Sequence, residues 1–279
     1  MPSARHAHHD SHVPSAWPPP PQRGKRPTRL SAADHAGGTP SFIRRVALDV
    51  ARVVVPVECP GCGAIDVQWC QECAAQWWQP PLRSESSAGR LGLVVGSSLP
   101  VWALASLEGS AHAMVAAWKD GGRRDLDRFF AQRISQAAAD VAPHLKSSAW
   151  LVVPVPARAS STARRGVDLP GMLASAVAEG LRSTGVDAAT VPLLESGGGD
   201  QRSQGVRARW RNAQSLALRE SVFLRLGAQR SKPVLIVDDV VTTGASIAAA
   251  TRALEVEYLT VGAGLCLAAT PRSGATAIT

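Results

Sequence analysis

The run Val234-Leu-Ile-Val-Asp-Asp-Val-Val-Thr-Thr-Gly-Ala-Ser246 joins an apolar, β-branched segment to two carboxylates and a small, hydroxylated turn. Residues 234–237 have the composition of a short strand covered on both faces, as in the middle of a parallel sheet. The strand is predicted to stop at Asp238. Thr242, Thr243, Gly244, Ala245 and Ser246 then form a turn, and apolar periodicity over residues 247–254 predicts a helix behind it. Backbone N–H groups at a helix start have no intrahelical partner and carry the positive end of the dipole, so the turn suits a phosphate. Gly244 lets the backbone come close. Asp238 and Asp239 would repel such an anion, so they are expected to face hydroxyls or a cation; ribose diols and magnesium both fit. A helix cap alone needs one polar residue, whereas here two acids, two threonines, a glycine and a serine fall in one turn.

A second pattern is Cys59-Pro-Gly-Cys62 followed by Cys70-Gln-Glu-Cys73. Each Cys-x2-Cys knuckle supplies two thiolates from a tight turn, which Gly61 and Gly63 permit. Four soft sulfurs suit a closed tetrahedral zinc site, and a closed site is structural. The competing reading is a redox pair or disulfides, since a single Cys-x2-Cys also occurs in thiol-disulfide enzymes; the twin spacing favours the metal. Cys266, in an apolar run, reads as a small core residue.

The chain has 279 residues, 45% of them hydrophobic, and a net charge of +8. This allows one main domain with appendages. Residues 1–41, rich in His, Pro, Ser, Ala and Arg, read as a disordered tail. Residues 42–80 are expected to hold a helix and the four-cysteine knuckle, 81–90 a linker, and 91–279 the main domain. Trp69, Trp77 and Trp78 crowd the knuckle and read as a tiny core of its own, separate from that of the main domain. No apolar run is long enough to span a bilayer and the first residues lack a secretory apolar core, so a cytoplasmic protein without membrane insertion is expected.

Within the main domain, strands are predicted over residues 91–95, 101–107, 151–156, 191–194 and 260–269, besides the one at 234. Helices are predicted over residues 112–119, 126–141 and 169–182. Strands alternating with helices imply right-handed crossovers and an open, largely parallel sheet flanked by helices. Ligands of such sheets gather at the carboxyl ends of the strands, so the loops after Val155, Leu194 and Asp239 should converge. Arg158, Arg164 and Arg165 follow the first of these strands, and Arg202, Arg207, Arg209 and Arg211 the second. They read either as a solvated basic face or as donors to a pyrophosphate, whose oxygens match the guanidinium fork. Lys119, Arg123 and Arg124 carry the same two readings, ligand contact or surface charge.

Residues 237–246 resemble, without a gap, the phosphoribosyl pyrophosphate (PRPP) signature of the type I phosphoribosyltransferases. The resemblance implies that Asp238 and Asp239 are the catalytic pair and hold the ribose hydroxyls with magnesium. It further implies that Val240, Thr242, Thr243, Gly244, Ala245 and Ser246 bind PRPP, with the turn from Thr242 to Ser246 wrapping the 5-phosphate. The cysteine pairs, Trp118-Lys-Asp-Gly-Gly122, Val153-Pro-Val-Pro156 with Arg165-Gly-Val-Asp-Leu169, and the stretch from Gln204 to Asn212 together resemble the ComF family. These are phosphoribosyltransferase-like proteins associated with natural competence and DNA uptake. Where that family has Arg-Gly-Phe-Asn-Gln, this chain lacks the Phe-Asn-Gln portion. The resemblance implies a type I phosphoribosyltransferase-like fold, a structural zinc, PRPP with magnesium as ligand, and Arg164, Arg165 and Arg207 on the pyrophosphate. A glycine-rich loop at Gly197 to Gly199 would close over the ligand. The alternative is a competence factor that binds single-stranded DNA or a competence helicase and has a vestigial or sensory PRPP site. Net charge and the tryptophans near the knuckle suit that alternative.

Overall fold

The computed structural model describes residues 57–89, 99–157, 167–196 and 216–271. The chain divides into two units, Met1–Ala51 and Arg52–Thr279, and every described residue belongs to the second. The predicted tail, the helix expected ahead of the knuckle, the strand over 91–95 and the glycine-rich loop lie outside the described residues. So do Arg158, Arg164, Arg165, Arg202, Arg207, Arg209 and Arg211.

In chain order the elements are α1 (Gln71–Ala75), β1 (Leu82–Arg83), β2 (Val101–Ser106), α2 (Gly109–Lys119), α3 (Asp125–Val141), β3 (Ala149–Pro154) and α4 (Leu169–Ser183). They continue with β4 (Asp187–Thr190), β5 (Leu194–Ser196), β6 (Leu216–Leu218), α5 (Glu220–Leu224), β7 (Val234–Val241), α6 (Ala245–Glu255) and β8 (Val261–Ala269). Among the described residues, six strands form one sheet in the order β1-β2-β8-β7-β3-β4, and β5 pairs with β6 in a separate ribbon. All neighbours in the large sheet are parallel except β1, which runs antiparallel to β2 on the edge. The protein is therefore a mixed α/β structure with a mostly parallel six-stranded sheet flanked by helices.

Parallel strands need helical crossovers, and those crossovers cover both faces. Alternate side chains divide accordingly. Leu104, Val152, Leu235, Val237, Leu265 and Leu267 share one core with α2, α3 and α4. Val101, Leu151, Val153, Val234, Ile236 and Cys266 share the other with α6 and Phe223 of α5. Cys266 is thus a small core residue, as its apolar surroundings predict. From β3 the chain steps outward to β4, then returns as β7 on the other side of β3. The connections diverge between β3 and β7, which makes the carboxyl ends of those two strands the natural crevice of the sheet.

Several elements differ from the sequence reading. β7 does not stop at Asp238 but runs on to Val241, because Asp238, Val240 and Val241 keep their partners Cys266, Ala268 and Ala269 on β8. The strand expected over 191–194 lies instead at Asp187–Thr190, which pairs with β3, while Leu194 opens the β5–β6 ribbon. Leu82 and Arg83, inside the stretch read as a linker, form the edge strand β1. The knuckle has no core of its own: Cys59, Cys73, Ala74 and Trp77 belong to the core under α2, α3 and α4. A segment so short cannot bury enough apolar surface alone, so it leans on the larger domain. Among the described residues no helix is long and apolar enough to cross a membrane.

α3 and α4 approach closely at Gly180, where an added Cβ would collide with the Ser135 carbonyl oxygen of the neighbouring helix backbone. Gly180→Ala is therefore expected to destabilise the fold by about 1–3 kcal/mol, the usual cost of overpacking. Urea unfolding is the measurement; a midpoint equal to that of the unaltered protein would show that the two helices can separate freely.

Candidate functional site

β7 brings Asp238 and Asp239 to the carboxyl end of the sheet in unlike environments. Asp238 is buried at 9% exposure, and its Oδ1 accepts the Asp239 backbone N–H at 2.9 Å. Burial first, and then the charge of Asp239, push the Asp238 carboxyl up to about 8. Asp239 is less buried, and its Oδ2 lies 2.7 Å from the Lys119 Nζ at the end of α2. Burial thus favours the protonated form of Asp238 in the ligand-free protein, while Asp239 faces the Lys119 ammonium.

The turn that follows is built as its residue types require. Thr242, Thr243 and Ser246 are exposed, whereas Gly244 is buried and stands at the start of α6 with φ of +75°, in the left-handed region that favours glycine. No side chain caps α6. Its first N–H groups are left for solvent or a ligand, and the helix of 11 residues adds its dipole. β8 pins the turn from the other side: the Thr270 hydroxyl donates to the Thr242 carbonyl at 2.9 Å, and the Thr270 N–H donates to the Val241 carbonyl at 2.9 Å. Thr270 is a positioning residue that no sequence pattern marks, since it only follows the last strand residue.

The structure separates the three cations of the segment between α2 and α3. Lys119 reaches the acidic pair. Arg123 donates to the Glu58 and Gln68 carbonyls at 2.7 and 2.8 Å and forks onto Asp125. Arg124 pairs with Asp127 at 3.0 Å. Arg123 therefore serves the knuckle, because its carbonyl partners Glu58 and Gln68 lie one residue before Cys59 and two before Cys70.

The Sγ atoms of Cys59, Cys62, Cys70 and Cys73 all lie within 4.8 Å of one another, close enough to hold a metal ion. Cys70 Sγ is 3.8 Å from that of Cys59 and 3.7 Å from that of Cys62. A tetrahedral ion with metal–sulfur bonds of about 2.3 Å sets sulfurs about 3.8 Å apart, so the set fits a zinc-like ion. Disulfide sulfurs sit at about 2.05 Å, and all four thiols are free. At Cys59 burial opposes ionisation, yet N–H groups of Cys70, Gly61 and Cys62 outweigh it and bring the thiol to about 6. At Cys73 burial and the neighbouring thiols push the value up to about 12. Gly61 is needed here for space, since a Cβ would come within 2.7 Å of the Cys73 Sγ.

The aromatic residues around the knuckle are engaged in packing. Trp77 meets Phe129 and Phe130 edge-on, Trp69 lies 5.1 Å from Phe129, and the Arg133 guanidinium covers the face of Trp78. A cavity of about 920 Å³ opens at the opposite, amino end of the sheet, lined by residues that include Arg83, Trp102, His144 and Trp150. There the Trp102 ring is already flanked by Arg83 and His144. The convergent polar groups lie at the other end, around Asp239.

No protein-family model matches this chain, and no relative is found among the curated proteins.

Removing one ligand by Cys62→Ser is expected to lower bound metal from about one ion per chain to a small fraction of that, read by elemental analysis. Because Trp77 shares the main core, near-ultraviolet circular dichroism of the aromatic cluster should change too. Full retention of metal would exclude the four-sulfur site. A second expectation concerns Asp238. Its folded value of about 8 exceeds the ordinary 3.8, so between those values the native state holds a proton that the unfolded chain has lost. Stability of the ligand-free protein should therefore fall as pH rises from about 4 to 8, and Asp238→Asn should abolish that fall. Urea midpoints across this range are the check, and parallel pH profiles of the two proteins would refute the assignment.

Proposed function

We propose that the chain binds PRPP with magnesium at the carboxyl ends of β3 and β7 and acts as a phosphoribosyltransferase-like protein of the ComF type, with a structural zinc in its knuckle. The observation that carries this reading is the continuous unit of β7, the turn and α6. Two carboxylates stand in the last paired stretch of β7, near the carboxyl end of a parallel sheet and close to its crevice, ahead of an uncapped helix start entered through a left-handed glycine. A phosphate and a ribose diol are the two halves of one ligand that such a unit would hold together.

In this reading Asp238 and Asp239 orient the ribose hydroxyls, and the residues from Thr242 to Ser246 anchor the 5-phosphate. Arg164, Arg165 and Arg207 steady the pyrophosphate. Magnesium, when bound, supplies the charge that neutralises the leaving group. Displacement of pyrophosphate at the anomeric carbon passes through a transition state with oxocarbenium character, so the protein acts mainly by positioning and by electrostatics. The chain's work then belongs to nucleotide metabolism or to DNA uptake. The rival reading needs stacking platforms near the knuckle, and the burial of Trp77 together with the Arg133 cover on Trp78 weighs against those platforms.

Titration calorimetry with PRPP and magnesium tests the proposal. The double substitution Asp238→Asn, Asp239→Asn should weaken binding by on the order of a hundredfold, since charge-assisted hydrogen bonds and the metal contact are lost together. Gly244→Val should also weaken it, by straining the left-handed turn and blocking the phosphate. Unchanged PRPP affinity in the double variant would exclude a ribose site at these acids. Tight, salt-sensitive binding of single-stranded DNA that PRPP does not displace, with no PRPP affinity, would transfer the function to the rival reading.

A further inference from the structure

An ion pair between partly exposed side chains contributes little to stability, so the contact between Lys119 and Asp239 calls for another account. Lys119 is the last residue of α2, and its neighbour Trp118 is fully buried with its indole N–H donating to Asp127 Oδ1 at 2.8 Å. The corner behind it is held by Arg123 on the Glu58 and Gln68 carbonyls. The helix end is therefore fixed, while the lysine stem and ammonium remain 29% exposed beside the crevice. Of the described cations in this corner, Arg123 and Arg124 are taken by Asp125 and Asp127, and Lys119 is the one that meets the acidic pair.

Resting on the reading of this crevice as a PRPP site, we infer that Lys119 is a built-in counter-cation that occupies Asp239 while the crevice is empty. It yields that carboxylate to the divalent ion arriving with the ligand, then turns to the ligand's phosphate oxygens. Two cations do not share one carboxylate oxygen without repulsion, and the empty pair would otherwise attract free metal. A lysine suits the exchange better than an arginine. Its compact ammonium rides on a flexible stem, whereas a guanidinium would fork onto the carboxylate and resist leaving. The device makes metal binding depend on the presence of the phosphorylated ligand, because only that ligand gives Lys119 a second anion to hold.

The test pairs two probes on the full chain: manganese alone, followed by electron paramagnetic resonance, and magnesium with PRPP, followed by calorimetry. Lys119→Met should bind manganese on the order of tenfold more tightly than the unaltered protein, and PRPP on the order of tenfold more weakly, as for loss of one charge-assisted hydrogen bond. A merely structural role would move both affinities the same way or neither. Lys119→Arg, which retains the charge, should keep manganese binding weak. Equal manganese affinity in Lys119→Met and the unaltered protein overturns the inference while leaving the PRPP site standing. Absence of PRPP binding in the unaltered protein overturns the proposed function. In that case the manganese comparison still decides the counter-cation role, a gain upholding it and no change refuting it.

Discussion

Phe130 is fully buried, with its ring centroid 4.9 Å from that of Trp77 and 4.9 Å from that of Trp118. Trp77 comes from the knuckle, Trp118 from α2 and Phe130 from α3, so one aromatic cluster ties the knuckle to two successive helices of the main domain. Burying each large ring contributes several kcal/mol relative to alanine, as a general scale for such sites (about 3–5 kcal/mol). The knuckle leans on this cluster, and α2 takes its direction from it. The direction of α2 in turn brings Lys119 to the end of β7. The four-cysteine cluster, a helical layer and an acidic pair on the sheet are thereby parts of one packed body.

The electrostatics of the acidic pair follow from where β7 ends. Because the strand continues past both acids, Asp238 is carried into the sheet interior opposite Cys266, while Asp239 meets the end of α2. Two adjacent carboxylates would repel if both were ionised. Burial of one and ion pairing of the other resolve that repulsion without removing either acid.

Much of the central frame was legible from residue type. The apolar run at Val234 and the helix behind Gly244 could be read because buried parallel strands and amphipathic helices leave strong periodic marks. The helices that became α2, α3 and α4 were legible for the same reason. β4 was not, since Asp187-Ala-Ala-Thr190 has one β-branched residue and is a strand only because β3 offers it an edge. Leu82 and Arg83 form a strand for a like reason, beside β2. In the candidate site, the acids and the turn could be named from sequence, as could the four cysteines. Lys119, Arg123 and Thr270 could not be sorted, because what distinguishes them is which distant partner each one meets. A cation at a helix end looks the same in sequence whether it serves a carboxylate, a carbonyl or water.

The short edge strands also decide how this sheet meets other molecules. A long flat edge would present unpaired N–H and C=O groups as a template for a second chain. Here β1 covers one border with only two residues, running against the direction of the rest, and β4 closes the other with four. Asp187, at the start of β4, is held at 2.7 Å by Lys232, which sets charge along that border. Among the described residues, neither outermost strand offers a stranger a long ladder to extend. Short edge strands with a charge held beside them are the arrangement that disfavours edge-to-edge pairing.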